Sequence, residues 1–200
     1  MRVFLETERL VLRQFTEADL DNLVDLDSDP DVMRFITGGT PTSRDDIQNV
    51  FLPAFLRYHD DFVGYGFWAA IEKSTGDFLG WFHFRPPKGA SPDEPELGYR
   101  LRKAAWGKGY GTEGSRALIH KGFTEFGVRR VVASTYQDNL GSRRVMEKVG
   151  MTLVRTFRMT TEEMVAQGYQ VAPEGLWEGD DVEYALEKAD WERQERELAV

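Results

Sequence analysis

Three glycines at alternate positions, Gly107, Gly109 and Gly111, stand in the run Trp106-Gly-Lys-Gly-Tyr-Gly-Thr-Glu. The run follows a stretch that reads as a strand, Glu96 to Leu101, and precedes one that reads as a helix beginning near Thr112. Glycine accepts positive φ and has no Cβ to block a ligand. A helix start presents free N–H groups and the positive end of its dipole. Together these features bind anions, phosphates above all. Arg102, Lys103 and Lys108 add side-chain positive charge beside the loop. An ordinary tight connection shows the same spacing, so the glycines alone leave both readings open. Two other phosphate loops are excluded. Lys108 is not followed by Ser or Thr, as a P-loop requires, and the glycine spacing does not fit G-x-G-x-x-G.

A second segment carries matching chemistry. A strand, Arg130 to Thr135, leads into Asn139-Leu-Gly-Ser142, and then into Met146-Glu-Lys-Val-Gly150 on a helix read from Leu140 to Lys148. In this order and spacing, the two segments resemble the GNAT superfamily of acyl-CoA-dependent N-acyltransferases. The opening Glu6-Thr-Glu-Arg9-Leu-Val-Leu-Arg13 and the closing Asp181-Val-Glu-Tyr184-Ala-Leu resemble the ribosomal-protein N-terminal acetyltransferase (RimJ/RimL-like) branch. The resemblance runs from about Thr7 to Trp191. It implies transfer of an acetyl group from acetyl-CoA, as cosubstrate, to a primary amine by direct attack in a ternary complex, with no metal. The acceptor would be a protein N-terminal α-amine or a small-molecule amine. Carried over residue by residue, Trp106, Gly107, Lys108, Gly109, Tyr110, Gly111 and Thr112 would form the pyrophosphate loop. Pantetheine would pair with backbone groups of Tyr99, Arg100 and Leu101. Asn139, Ser142 and Arg143 would touch the cofactor from the second segment.

Acyl transfer to an amine needs a neutral amine, a polarised carbonyl and a stabilised thiolate. A lysine-like amine of pKa about 10.4 costs roughly 4.6 kcal/mol to deprotonate at pH 7, whereas an α-amine near 7.8 costs about 1 kcal/mol. Glu96, beside the expected thioester position, is the candidate base, acting directly or through water; a solvated strand-end carboxylate is the other reading. Ser142 is the candidate donor to the thiol, against a helix-turn hydroxyl bonded to nearby backbone. Asn139 reads both as a helix cap and as a cofactor contact. Many relatives place a tyrosine acid where this chain has Met146, which cannot donate a proton. Trp106 stands where many have Arg or Gln, at the loss of one polar contact. Arg143 and Arg144 are within reach of cofactor phosphate or simply solvated. His83 reads as a satisfied strand histidine or as one facing the acceptor cleft. The acidic stretches Asp25 to Asp31, Asp93 to Glu96 and Glu178 to Glu183 read as a ring attracting a cationic acceptor or as separate solvated loops.

The elements that must position these groups follow from periodicity. Arg9 to Phe15 alternates as a half-buried strand does. Thr16 caps a helix carrying Leu20, Leu23 and Val24, and a second short helix begins at Asp29-Pro30. A third runs from Ser43 to about Tyr58, and Pro53 is expected to kink or split it. Phe67 to Glu72 and Phe78 to Arg85 form a hairpin. Met151 to Met159 and Val182 to Leu186 are later strands. Between them lies a polar excursion, residues 160–179, with a short helix over Thr161 to Gln167. A charged tail helix covers Asp190 to Leu198. The expected class is α+β. The resemblance makes this a GNAT-type mixed, mostly antiparallel sheet, flanked by helices and splayed between its fourth and fifth strands, those at Glu96 and Arg130.

Composition narrows the function classes. The 200 residues carry 41% hydrophobic and 30% charged residues, globular values that suit one domain over residues 1–200. The absence of cysteine excludes disulfides, thiol nucleophiles and thiolate metal sites. His59, His83 and His120 lack ligand spacing, so no metal is expected. A net charge of −9 argues against nucleic acid as a partner and is favourable to a cationic acceptor. With no long apolar run and no apolar signal region, no membrane partner and a cytoplasmic location are expected. Monomer and homodimer are both open. Two non-catalytic readings compete. One is an acyl-CoA-binding module or sensor, which the presence of Glu96 and Ser142 disfavours. The other is an interaction module using Trp81 and Trp177, for which no motif speaks.

Overall fold

The computed structural model describes residues 2–61, 64–87, 89–160 and 179–198. The excursion helix expected over Thr161 to Gln167, Trp177 and Glu178 lie outside them. Eight strands form one sheet: β1 Val3–Glu6, β2 Leu10–Gln14, β3 Gly66–Glu72, β4 Phe78–Arg85, β5 Glu96–Leu101, β6 Arg130–Tyr136, β7 Thr152–Phe157 and β8 Asp181–Glu187. Their order is β1-β2-β3-β4-β5-β6-β8-β7. Every pairing is antiparallel except β5 with β6. This is the expected α+β class with a mostly antiparallel mixed sheet.

The parallel pair meets at a single register position, Glu96 opposite Val132. The Val132 N–H donates to the Pro95 carbonyl at 3.1 Å, at the start of β5. Towards Leu101 and Tyr136 the strands part, and this is the expected splay. It falls between the fifth and sixth strands, not the fourth and fifth, because the short strand β1 precedes the strand expected at Arg9. Val3–Glu6 is only four residues long and half-exposed, with no clean alternation to betray it.

Alternation along the strands gives the sheet two apolar faces. On one face, Phe82, Phe84, Leu97, Leu101, Val131, Ala133 and Tyr184 pack with Leu118, Ile119, Phe123 and Met146. Those last four come from helices α4 (Tyr110–Glu125) and α5 (Leu140–Lys148). On the other, Ala69, Phe78 and Trp81 pack with Leu23, Leu26, Val32, Ile47, Leu52 and Phe55. These belong to α1 (Leu20–Ser28), α2 (Pro30–Thr37) and α3 (residues 44–61). The tail helix α6 is Lys188–Leu198.

Helix starts follow local chemistry. Thr16 and Asp19 form a reciprocal capping box ahead of α1. The Asp29 side chain accepts from the Asp31 N–H, with Pro30 at the first turn of α2. Pro53 does not split α3. The chain widens into a π-helical turn over Ile47–Phe51, in which the Leu52 N–H reaches back to Ile47, and Pro53 follows without a break.

Candidate active site

The glycine loop starts as the end of β5 turns through a 3-10 segment, Lys103–Ala105. Gly107 and Gly109 both take left-handed backbone, at φ 72° and 86°. Only glycine adopts that conformation at little cost. Gly109 is the N-cap of α4, which begins at Tyr110, two residues before the expected Thr112. Gly111 keeps helical φ. Its lack of a side chain matters for space instead, since a Cβ there would meet Val145 of α5 at 3.3 Å. Trp106 donates its indole N–H to the Leu101 carbonyl at 2.8 Å, closing the loop on the end of β5. The Tyr110 ring is buried and its hydroxyl donates to Glu72, so only its backbone faces the loop. Thr112 lies in the first turn of α4, and Lys108 is exposed.

A strap from the other end of the chain holds this loop. The Arg9 guanidinium donates to Glu113 at 2.6 Å and to the Lys108 carbonyl at 2.9 Å, and lies 4.5 Å over the Tyr110 ring. Glu113 also accepts from the Arg9 N–H at 2.9 Å and from the Thr7 hydroxyl. Burial pushes the Glu113 carboxyl up, and Thr7 and Arg9 outweigh it, so its pKa ends below the ordinary value. In the sequence, Arg9 and Glu113 stand within motifs and carry no mark of a site residue. They stand 104 positions apart, and nothing in either stretch marks them as partners.

The charges around the loop are arranged differently from the expectation. Arg102 and Lys103 do not surround the glycines as free cations: Arg102 pairs with Asp25 at 3.5 Å and Lys103 with Asp31. Arg100 pairs with buried Asp27 at 2.6 Å, and its carbonyl lies against Gly80 of β4. The acidic stretch 25–31 therefore meets the basic end of β5. Elsewhere, Asp93 pairs with Arg129, Asp180 with Arg158 at 2.9 Å, and Glu183 with Arg155 at 2.7 Å.

At the second segment, the Asn139 side-chain oxygen caps α5 by accepting the Ser142 N–H at 3.2 Å, and its amide donates to Thr135 at 3.1 Å. Ser142 is met from across the splay. The Tyr99 hydroxyl lies 3.0 Å from both Ser142 Oγ and the Ser142 carbonyl. Burial holds the Tyr99 phenol far above its ordinary pKa, so it stays protonated. Arg143 donates to the Tyr184 hydroxyl at 3.1 Å and to the Gln137 carbonyl at 3.0 Å, tying α5 to β8. Met146 is buried in the core.

On the opposite face of β5, Glu96 Oε2 lies 3.6 Å from His83 Nε2 and 3.8 Å from the Arg85 guanidinium. The imidazole sits edge-on to Phe67 and beside Trp81, with ring centroids 5.6 and 6.0 Å away. Its tip occupies the space above Gly98, where a Cβ would lie 2.3 Å from Nε2. Nε2 has no hydrogen-bond partner among the described residues, unlike the satisfied strand histidine of one sequence reading. Burial first, then Arg85 and Arg100, keep the imidazole well below its ordinary pKa and neutral. Among the described residues no cluster of three or more His, Asp or Glu could hold a metal, and no helix is long and apolar enough to cross a membrane.

The sheet, its single parallel pair and the glycine loop at a helix start define an acyl-CoA-dependent acyltransferase architecture, and comparison with known proteins agrees. A GNAT-family acetyltransferase from Bacillus anthracis superposes with a TM-score of 0.71 at 25% identity, over 94% of this chain and 99% of that one. A ribosomal alpha-N-protein acetyltransferase, RimL, in complex with coenzyme A shares the fold at a TM-score of 0.72 and 18% identity, over 93% and 98%. The Acetyltransferase (GNAT) domain family matches residues 9–152. The FsC-acetyl coenzyme A-N(2)-transacetylase of Aspergillus fumigatus is 30% identical over 198 residues, 96% of this chain and 79% of that protein. The chain belongs to the GNAT acetyltransferase family and is an acyl-CoA-dependent acetyltransferase, a family that uses acetyl-CoA.

Proposed function

We propose that this protein transfers the acetyl group of acetyl-CoA directly to an α-amine in a ternary complex. The observation that carries the reading is the splay, with Glu96 at its closed end on one face and the Ser142 hydroxyl on the other. Pyrophosphate would rest on the N–H groups of residues 107–112, and pantetheine would lie in the gap along Tyr99 and Leu101. Glu96, directly or through one water, takes a proton from the acceptor ammonium. The neutral nitrogen attacks the thioester carbonyl, and Ser142 stabilises the departing sulfur.

The acidity of the acceptor favours an α-amine. An amine near pKa 7.8 costs about 1 kcal/mol to deprotonate at pH 7, against roughly 4.6 kcal/mol for a lysine-like amine near 10.4. The fungal relative points the same way, since its name specifies an N(2) nitrogen. A small-molecule α-amine and a protein N-terminus, as in the RimJ/RimL-like branch, both satisfy this chemistry. The pairing of residues 25–31 with Arg100, Arg102 and Lys103 reduces the pull on a cationic acceptor. We read residues 1–200 as one domain acting in the cytoplasm, as monomer or homodimer.

The test is thiol release from acetyl-CoA with N-terminal peptides, free amino acids, polyamines and aminoglycosides, with Glu96→Gln and Ser142→Ala beside the wild type. Turnover is expected with α-amines and should fall at least tenfold in each variant. Tight acetyl-CoA binding without turnover on any amine would favour a binding module instead.

A further inference from the structure

The Met146 position removes a hydroxyl that many relatives place on this helix, and the structure brings another one in from the other side of the gap. The Tyr99 side chain leaves β5 on the face of α4 and α5, and its ring packs near Phe82, with centroids 6.0 Å apart. Its hydroxyl ends 3.0 Å from Ser142 Oγ. The Ser142 N–H is taken by Asn139 and its carbonyl by Tyr99, so the residue is pinned at both backbone groups and only the Oγ proton is free to turn.

We propose that Tyr99 is a positioning residue for acetyl transfer, whose hydroxyl aims and polarises Ser142 Oγ toward the departing sulfur. The proposal rests on the Ser142 role given above. A tyrosine hydroxyl has one proton, and the Ser142 carbonyl can only accept. At rest Tyr99 therefore donates to that carbonyl, and Ser142 Oγ–H donates to Tyr99. When negative charge develops on sulfur, Oγ–H turns to the sulfur, and Tyr99 turns its proton onto Oγ. Two hydroxyls in series then stabilise the thiolate, each polarising the next.

The electron and proton count closes without Tyr99 ionising. The acceptor nitrogen, having given one proton to Glu96, uses its lone pair to form the C–N bond. The C–S bond breaks with its electron pair on sulfur. The second nitrogen proton neutralises that thiolate by way of Ser142 Oγ, which gives its own proton to sulfur and takes this one. Tyr99 keeps its proton throughout, as its burial requires.

Tyr99→Phe keeps the ring and removes only the oxygen. With acetyl-CoA and an α-amine acceptor, kcat is expected to fall about tenfold, while the Kd for CoA, read by calorimetry, stays within twofold. The deficit should shrink when the donor is an acetyl thioester of a more acidic thiol, whose departure needs less help; a packing defect would not distinguish the donors. Tyr99→Phe added to Ser142→Ala should cost nothing further, because the tyrosine acts through the serine. An unchanged kcat in Tyr99→Phe, with Ser142→Ala impaired, overturns this inference alone. An equal deficit with both donors also overturns it. An unimpaired Ser142→Ala overturns the role of serine and the inference with it.

Discussion

Gly98 and His83 show how one missing methyl group shapes the face that carries Glu96. The imidazole tip occupies the place of a Cβ at position 98, beside the Glu96 carboxylate. Gly98→Ala must therefore push His83 aside without touching the glycine loop. We expect kcat/KM for the amine to fall several-fold with the Kd for acetyl-CoA unchanged, read by steady-state kinetics and calorimetry. Equal losses on both sides would mean that the strand, not the imidazole, had been disturbed. The cap at Asn139 and the place of Glu96 at the start of β5 were legible from residue type and motif spacing. The contacts of Tyr99 and His83 were not. They depend on which face of the sheet each side chain takes and on what the opposite element delivers there, and a single strand does not encode its partner.

At the level of elements, the glycine loop owes its form to a strap as well as to its own glycines. Arg9 reaches from the β1–β2 connection to Glu113 in the first turn of α4 and to the Lys108 carbonyl. That bond fixes the loop just ahead of the helix start, whose free N–H groups suit an anion. Arg9→Ala is expected to raise the Kd for acetyl-CoA roughly tenfold, the loss of about 1.4 kcal/mol. Amide exchange over residues 107–111 should quicken, and Glu113→Gln should follow in the same direction. Unaltered affinity in both variants would reduce the strap to a local surface contact. Most strands and helices were readable from period and turn chemistry, and the splay from the family resemblance alone. Two features were not. The π-helical turn before Pro53 is one of several ways to accommodate a proline, and β1 is too short and too exposed for its pattern to register.

For the whole molecule, the buried ionisable groups set the acid limit of stability. Asp19 is pushed up by burial, but two 2.7 Å bonds from Arg13 and the contacts with Thr16 bring its pKa below the ordinary value. Glu113 behaves likewise. A depressed carboxylate contributes stability that is complete above its unfolded value, about 4, and is lost as pH falls through the folded one. His83, kept neutral by burial, acts in the same sense from a higher starting point, near 6.5. Asp181 opposes them. Burial raises its pKa, so its contribution is present at low pH and is lost as pH rises through the raised value. We expect urea stability to decline from about pH 6 downward and steeply below about pH 4. Asp19→Asn should cost about 3 kcal/mol at pH 7, since it leaves Arg13 buried without its charge partner. It should also flatten the acid limb; a profile of unchanged slope in that variant would remove Asp19 as a source.

The seam of three acid–base pairs between residues 25–31 and the end of β5 also bears on how such a protein can change over time. Asp27 and Arg100 are 73 positions apart, and Asp31 and Lys103 are 72. A lineage that acquired a foreign α1–α2 segment would inherit mismatched charges unless the basic strand end came with it. The heritable unit is therefore two distant stretches of chain that must be exchanged together. Gradual substitution around an intact seam is an easier road to change than wholesale replacement of the α1–α2 segment.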